Sequence, residues 1–368
     1  MFEITDKTLL RRLCGKSNCS NVTIPFGVEA VGSQVFDDMS DLACVTMPST
    51  LLSIGDNAFR NCSGLKALDL PSNLRHVGFQ AFRDCTGLTS LTLPEALTSV
   101  DKRAFGGCSG LTALSLPPNL KRVEDLAFNR CDGVTSLTLP DGLTSCGECA
   151  FYGCAALTSL TLPDTVATMG DHAFGRCVAL SSVTLPRRLV DLGKCVFANC
   201  QSLTSVTLPP TLKVVGDKAF HRCTGLTSLT LPPGLTRLGD QAFNECSGLT
   251  SIALPASLTQ LGAGAFGFCF RLTSVTLPHG LRRIGSRAFS CCTALTSVHI
   301  SPPVAQRALV AWAVGSSRNR NNWRVTTLKR LRNVLRLVVT WAVEHRGVAS
   351  LDPGGGKNLF EGCVGLII

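Results

Sequence analysis

Histidine is thinly spread in this chain. His76, His172, His221, His279, His299 and His345 are scattered with no metal-ligand spacing. No P-loop, paired-carboxylate signature or nucleophile–base pattern occurs, so neither an enzyme nor a bound cofactor or metal is expected. Long apolar runs are missing too. The stretch 337–343 beyond Arg336 is seven residues long, against about 20 needed to cross a bilayer, so no transmembrane span is expected. The opening MFEITDKTLLRRLCGKSN has no apolar core of a signal peptide and carries Glu3 and Asp6 early. That predicts a cytoplasmic location, in which the sequons at Asn18, Asn21 and Asn61 stay unmodified. Aromatic residues make up 6% of the chain and Tyr152 is the single tyrosine, yet 45% of residues are hydrophobic. Such a chain is neither disordered nor of ordinary globular composition, and both figures follow from the copying of one leucine-rich unit.

That unit is LTSLTLPPGLTRLGDQAFNECSG at 226–248, and it recurs every 23 residues from Asn21 to Ile300. Its phenylalanine keeps step from Phe36 through Phe289, and its proline from Pro25 through Pro278. Leu229-Thr230-Leu231 alternates as a strand with one buried face, and Pro232 ends it because proline cannot donate to a ladder. Leu235 and Leu238 turn inward, Gly239 is expected to make a tight turn by adopting positive φ, and Ala242, Phe243 and Cys246 complete the interior. One unit buries too little to fold alone, so stability must come from stacking neighbours. The expected fold is a leucine-rich repeat solenoid, short parallel strands stacked as a right-handed coil, with a helical C-terminal segment.

The consensus LxxLxLPxxLxxhGxxAFxxCxx (h aliphatic) resembles the BspA-like leucine-rich repeats over about three quarters of the chain. Departures are few: Asp101 and Glu124 replace the glycine, Met39 the cysteine, and Cys146 takes an aliphatic position. The resemblance implies a non-enzymatic adhesion or protein-recognition scaffold, whose partner is a protein or surface polymer. It also implies a cell-surface or secreted location, against the cytoplasmic reading of the N-terminus, and supplies no catalytic residues.

Nineteen cysteines would suggest a disulfide scaffold. Eleven of them, however, fall at the Phe-x-x-Cys position from Cys62 to Cys292, where a column of small, buried, reduced side chains is expected. Cys146-Gly-Glu-Cys149 and the vicinal Cys291-Cys292 read as repeat accidents rather than metal or redox sites.

Four segments follow. Residues 1–20 form an N-terminal cap, with a short helix behind Thr5. Residues 21–315 form the solenoid, about twelve full repeats and one degenerate. Residues 316–357 are a basic amphipathic-helix insertion, and 358–368 are a partial repeat. The region 301–357 holds ten Lys and Arg against Glu344 and Asp352, and all three tryptophans; its charge predicts an acidic partner for the helix.

Two surfaces could carry binding. Ser and Thr recur on the strands (Ser136 and Thr138, Ser159 and Thr161, Ser228 and Thr230), a hydroxyl ladder suited to a structural role or a repetitive partner such as glycan or ice. The two positions after the conserved phenylalanine vary instead. Arg130, Arg176, Arg222, Glu245 and Phe268 in that column are the candidate partner-binding residues.

Overall fold

The computed structural model describes residues 2–4 and 20–300. The expected helix behind Thr5, the degenerate thirteenth repeat, the basic helix of 316–357 and the partial repeat of 358–368 lie outside the described residues.

Each 23-residue unit is one turn of a coil with three sides. The first is a short strand, Ser228–Thr230 in the repeat beginning at Leu226, with Leu229 inward and its hydroxyl neighbours exposed. The second is a two-residue strand, Arg237–Leu238, whose leucine is buried. The third carries Ala242, Phe243 and Cys246, all fully buried. Strands pair in parallel only with their equivalents 23 residues away, as Ser228↔Ser251 and Arg237↔Gln260. Phe2–Ile4 adds a further strand, parallel to Val28–Val31, so the N-terminal segment begins by extending the second side.

Ladder bonding on the first side pauses between Thr46 and Ala67, Thr138 and Ser159, and Thr207 and Ser228. On the second side it pauses after Val77 and after Met169. No two pauses coincide, so one ladder always runs through where the other is interrupted. Leu137 and Val206, at two of the pauses, are the strand-centre residues that stay only partly buried.

The core is a set of columns. Twelve phenylalanine rings from Phe36 to Phe289 are fully buried and stack without interruption, with centroids from 4.6 Å to 5.9 Å apart and planes within 15°. Beside them, each repeat cysteine points its Sγ at the carbonyl of the phenylalanine 26 residues earlier, as Cys62 to Phe36 at 3.1 Å and Cys292 to Phe266 at 3.0 Å. The expected burial of this column is thus observed, and the thiol proton is satisfied by a backbone carbonyl. Burial drives the Cys200 and Cys246 thiols up to about 12.

The reading of Gly239 needs correction. Its φ is not positive. A Cβ there would land on the Asp217 backbone nitrogen and the Gly216 carbonyl carbon of the preceding turn. The glycine is required by close approach of two backbones, not by left-handed geometry. The left-handed positions lie elsewhere, on the third side.

Candidate functional site

On the third side, the residues two before and two after the conserved phenylalanine adopt φ near +60° in every turn. Examples are Gln241 (55°) with Glu245 (60°), and Lys218 (56°) with Arg222 (60°). Glycine takes such a place only at Gly107, Gly153 and Gly264. Alternation of this kind turns successive N–H groups along the coil axis. Gln241, Phe243 and Glu245 donate to the carbonyls of Ala263, Ala265 and Gly267, each at 2.8 Å. The third side is therefore a third ladder of backbone hydrogen bonds, although no strand is assigned there. Aspartates one residue earlier extend it: Asp217 Oδ1 accepts from the Asp240 N–H at 2.9 Å, and Asp240 Oδ1 from the Ala263 N–H at 2.7 Å.

All five candidate partner-binding residues stand in this left-handed column, Arg130 and Arg176 at 57° and Arg222, Glu245 and Phe268 at 60°. Reasoning from sequence missed that constraint. Its signal is the absence of Val, Ile and Thr from both columns across twelve turns, since β-branched side chains are the ones that left-handed backbone excludes. The candidates divide into two groups. Arg222, Glu245 and Phe268 occupy consecutive turns, with Arg222 Nε 2.8 Å from Glu245 Oε2. Arg130 and Arg176 are separated by Gly153 in the same column, and a Cβ at Gly153 would rest against Arg130 Cγ. Tyr152 likewise leans over Gly175 and meets His172 edge-on at 6.0 Å.

Around Glu245 the electrostatics are local. His221 Nε2 lies 3.9 Å from Glu245 Oε1, and its ring is half-buried beside the Asn244 backbone. Burial, outweighing Glu245, lowers the His221 pKa. The imidazole is thus neutral at pH 7, and Glu245 pairs with Arg222 alone.

Next to this cluster the third side is dented. Gly264 withholds a side chain there, whereas a Cβ at Gly267 would press on Asn244 Nδ2 (2.6 Å) and Ser290 Oγ (3.2 Å), so that glycine makes room for its neighbours. The resulting depression of about 520 Å³ has Asn244 and Ser290 near its floor and Phe268, Lys218, Asp240 and Arg287 on its walls. Phe268 is 40% exposed and stands edge-on to the equally prominent Phe270, 6.1 Å away. Among the described residues the exposed phenylalanines are Phe26, Phe268 and Phe270, and Phe268 lines the dent.

The strand hydroxyls of the rival surface are exposed as expected, for example at Ser159–Thr161. The hydroxyl just before most of these strands is already committed: Thr135 Oγ1 donates to the Thr112 carbonyl at 3.0 Å and Thr250 Oγ1 to the Thr227 carbonyl at 3.2 Å. Cys146 is buried and Cys149 half-buried, and among the described residues no group of three His, Cys, Asp or Glu could hold a metal. No helix among the described residues is long and apolar enough to cross a membrane.

A parallel-strand solenoid of twelve 23-residue turns with leucine, phenylalanine and cysteine columns defines a leucine-rich repeat protein. The family model for the BspA type leucine rich repeat region matches residues 11–134, 123–246 and 192–307, and the chain belongs to that family. Among solved structures it is similar to a leucine-rich repeat protein from Bacteroides ovatus, with 26% identity over 83% of this chain and 84% of that one, and a TM-score of 0.71. It is similar in fold to the pneumococcal vaccine antigen PcpA, with 20% identity over 83% and 79% of the two chains and a TM-score of 0.57. Comparison with curated proteins finds no match. Leucine-rich repeat proteins generally serve as protein-binding or surface scaffolds, and the fold is typically non-enzymatic.

Proposed function

We propose that this protein is a recognition scaffold that binds a protein partner through its third side, centred on Phe268. The observation that carries the reading is the dent at Gly264, walled by an exposed aromatic ring and flanked by the Arg222–Glu245 pair. An aromatic anchor beside a pocket, with charged groups around it, is the anatomy of an interaction hot spot. The stiff left-handed ladder beneath holds these side chains in place before binding, which reduces the ordering cost. Arg130 and Arg176 form a second, outlying patch on the same side. Display at a cell surface or secretion, as the family resemblance implies, suits such a scaffold; the cytoplasmic expectation gains no support from the comparisons.

The test is affinity capture of extracellular proteins with three forms of the full chain: parent, Arg222→Ala/Phe268→Ala, and Thr138, Thr161 and Thr207 each changed to Trp. A captured partner should bind the Phe268 variant roughly 30-fold or more weakly, as loss of a hot-spot residue implies, and the tryptophan variant unchanged. The opposite pattern would transfer function to the strand hydroxyls, the structural or glycan- and ice-binding alternative.

A further inference from the structure

The three sides of the coil differ in charge. In the two exposed columns of the first side, at the positions of Ser228 and Thr230, Asp69 is the only Asp, Glu, Lys or Arg. The third side mixes both signs, as at Arg222 and Glu245. The second side does not. Its two outward columns, at the positions of Thr236 and Arg237, hold seven Lys or Arg and only two acids, Glu29 and Asp191. Arg75, Lys121, Lys213, Arg282 and Arg283 are exposed, and none has an ion-pair partner among the described residues. Arg122 pairs with Glu124 at 3.0 Å and Arg237 reaches Asp217 at 3.8 Å.

Backbone ladders hold these cations in line: Lys121 N–H donates to the Thr98 carbonyl at 2.9 Å, and Arg282 N–H to the Thr259 carbonyl at 2.8 Å. At about 4.8 Å per turn, the basic positions from Arg75 to Arg283 span roughly 43 Å. Between them the columns carry chiefly hydroxyls, with His76 and a single acid, Asp191. One place is hollowed: a depression of about 420 Å³ lined by Thr98, Ser99, Lys121, Arg122 and Thr144. Thr144 Oγ1 donates to the Lys121 carbonyl at 2.9 Å. The Thr98 and Ser99 hydroxyls have no hydrogen-bond partner among the described residues, so they are free to donate to an anion beside two cations.

We propose that the second side binds an extended acidic polysaccharide, with its sulfate or carboxylate groups on the Lys and Arg positions and the Thr98–Thr144 depression as one anion subsite. Charge complementarity selects a polyanion. The two outward columns hold no Phe, Tyr or Trp on which bases could stack, His76 being their one ring, and no element shaped to enter a groove, which disfavours nucleic acid. Val190 is its one exposed large apolar residue, too little to insert into a lipid surface. Intervening hydroxyls suit a sugar polymer, whose own hydroxyls fall between its charges. This surface is distinct from the Phe268 side, and either can fail without the other.

The experiment measures heparin binding to the full chain over a salt series, with duplex DNA and neutral dextran as competitors. Lys121→Glu/Arg122→Glu should weaken heparin by about tenfold or more and lower the slope of log affinity against log salt by roughly the number of charges removed. Lys121→Gln/Arg122→Gln should act in the same direction with a smaller shift, and circular dichroism checks that both fold. Arg83→Glu/Arg103→Glu, an equal change of net charge at third-side residues given no binding role, should leave affinity within about twofold, because charges on another side of the coil are largely screened by salt. The proposal is overturned if the Lys121/Arg122 and Arg83/Arg103 reversals act equally. It is also overturned if binding disappears only when Lys329, Arg330, Arg332 and Arg336 are neutralised. Duplex DNA binding more tightly, with the same variant pattern, would replace polysaccharide with nucleic acid, and competition by dextran would remove the role of charge.

Discussion

Arg222, Glu245 and Phe268 hold a backbone conformation that costs an ordinary L-residue about 1–2 kcal/mol relative to its right-handed alternatives. They keep it because their N–H groups are locked to the next turn, as Arg222 to the Asn244 carbonyl at 2.8 Å. Variation in the column is therefore filtered: it runs through Asp, Asn, Gly, Arg, Glu, Phe and Cys but contains no β-branched residue. Arg222→Val and Arg222→Asn both remove the ion pair to Glu245, an exposed pair worth about 0–1 kcal/mol. Asn tolerates left-handed backbone and Val does not. Chemical denaturation should find the valine variant less stable than the asparagine variant by about 1–2 kcal/mol. Equal stabilities would show that the backbone relaxes and that the column is not the rigid platform described.

At the scale of the element, the thiol column couples the fold to pH. Cys200 and Cys246 titrate near 12 in the folded protein because burial penalises the thiolate, whereas an unfolded cysteine titrates near 8.5. The folded pKa is raised, so the native state holds its protons longer. The associated stability is fully present below about pH 8.5 and is lost as pH climbs toward 12. Melting temperature should be level up to about pH 8 and then fall. In Cys200→Ala/Cys246→Ala the curve should start lower, from lost packing, but fall less steeply. Parallel curves in thermal melts across this range would mean these thiols do not carry the proton linkage. The phenylalanine and cysteine columns were legible in the sequence, because a residue type held at a fixed place through twelve copies, or eleven for the cysteine, must serve the same interior position. The hydrogen bond from each Sγ to a phenylalanine carbonyl 26 residues back was not, since it depends on the rise between turns.

Across the described coil, the ladders of the repeats and the phenylalanine stack link each residue to its counterpart one turn away, as in Ser182↔Ser205, and most side-chain bonds also reach about one turn. Stability of such an array is a sum over turns and their neighbours. Deleting 182–204, one whole register unit, should rejoin equivalent positions and leave a folded protein melting within about 5 °C of the parent. Deleting only 182–193 sets strands against turns and breaks the phenylalanine stack, and that variant should not fold. Circular dichroism and thermal melts decide it; a folded half-unit deletion would mean the stack is not what sets the register.

The sequence by itself determined the period, the inward columns and the parallel stacking of turns, because burial of Leu, Phe and Cys at constant spacing admits one register. It also marked where variation accumulates, and Arg222, Glu245 and Phe268 were picked from it. Tertiary structure alone decided which residues share a side and what each glycine is for. Gly239 is there because two backbones nearly touch, Gly267 because Asn244 and Ser290 crowd it, and Gly264 because its missing side chain leaves the dent beside Phe268 open. The left-handed pairs around each phenylalanine and the basic second side with its hollow at Lys121 likewise appear only in the folded coil. The physical reason is that repetition specifies which residues stack one turn apart, whereas the direction a side chain takes depends on the bends within the turn, and those are set by backbone hydrogen bonds to the neighbouring copies.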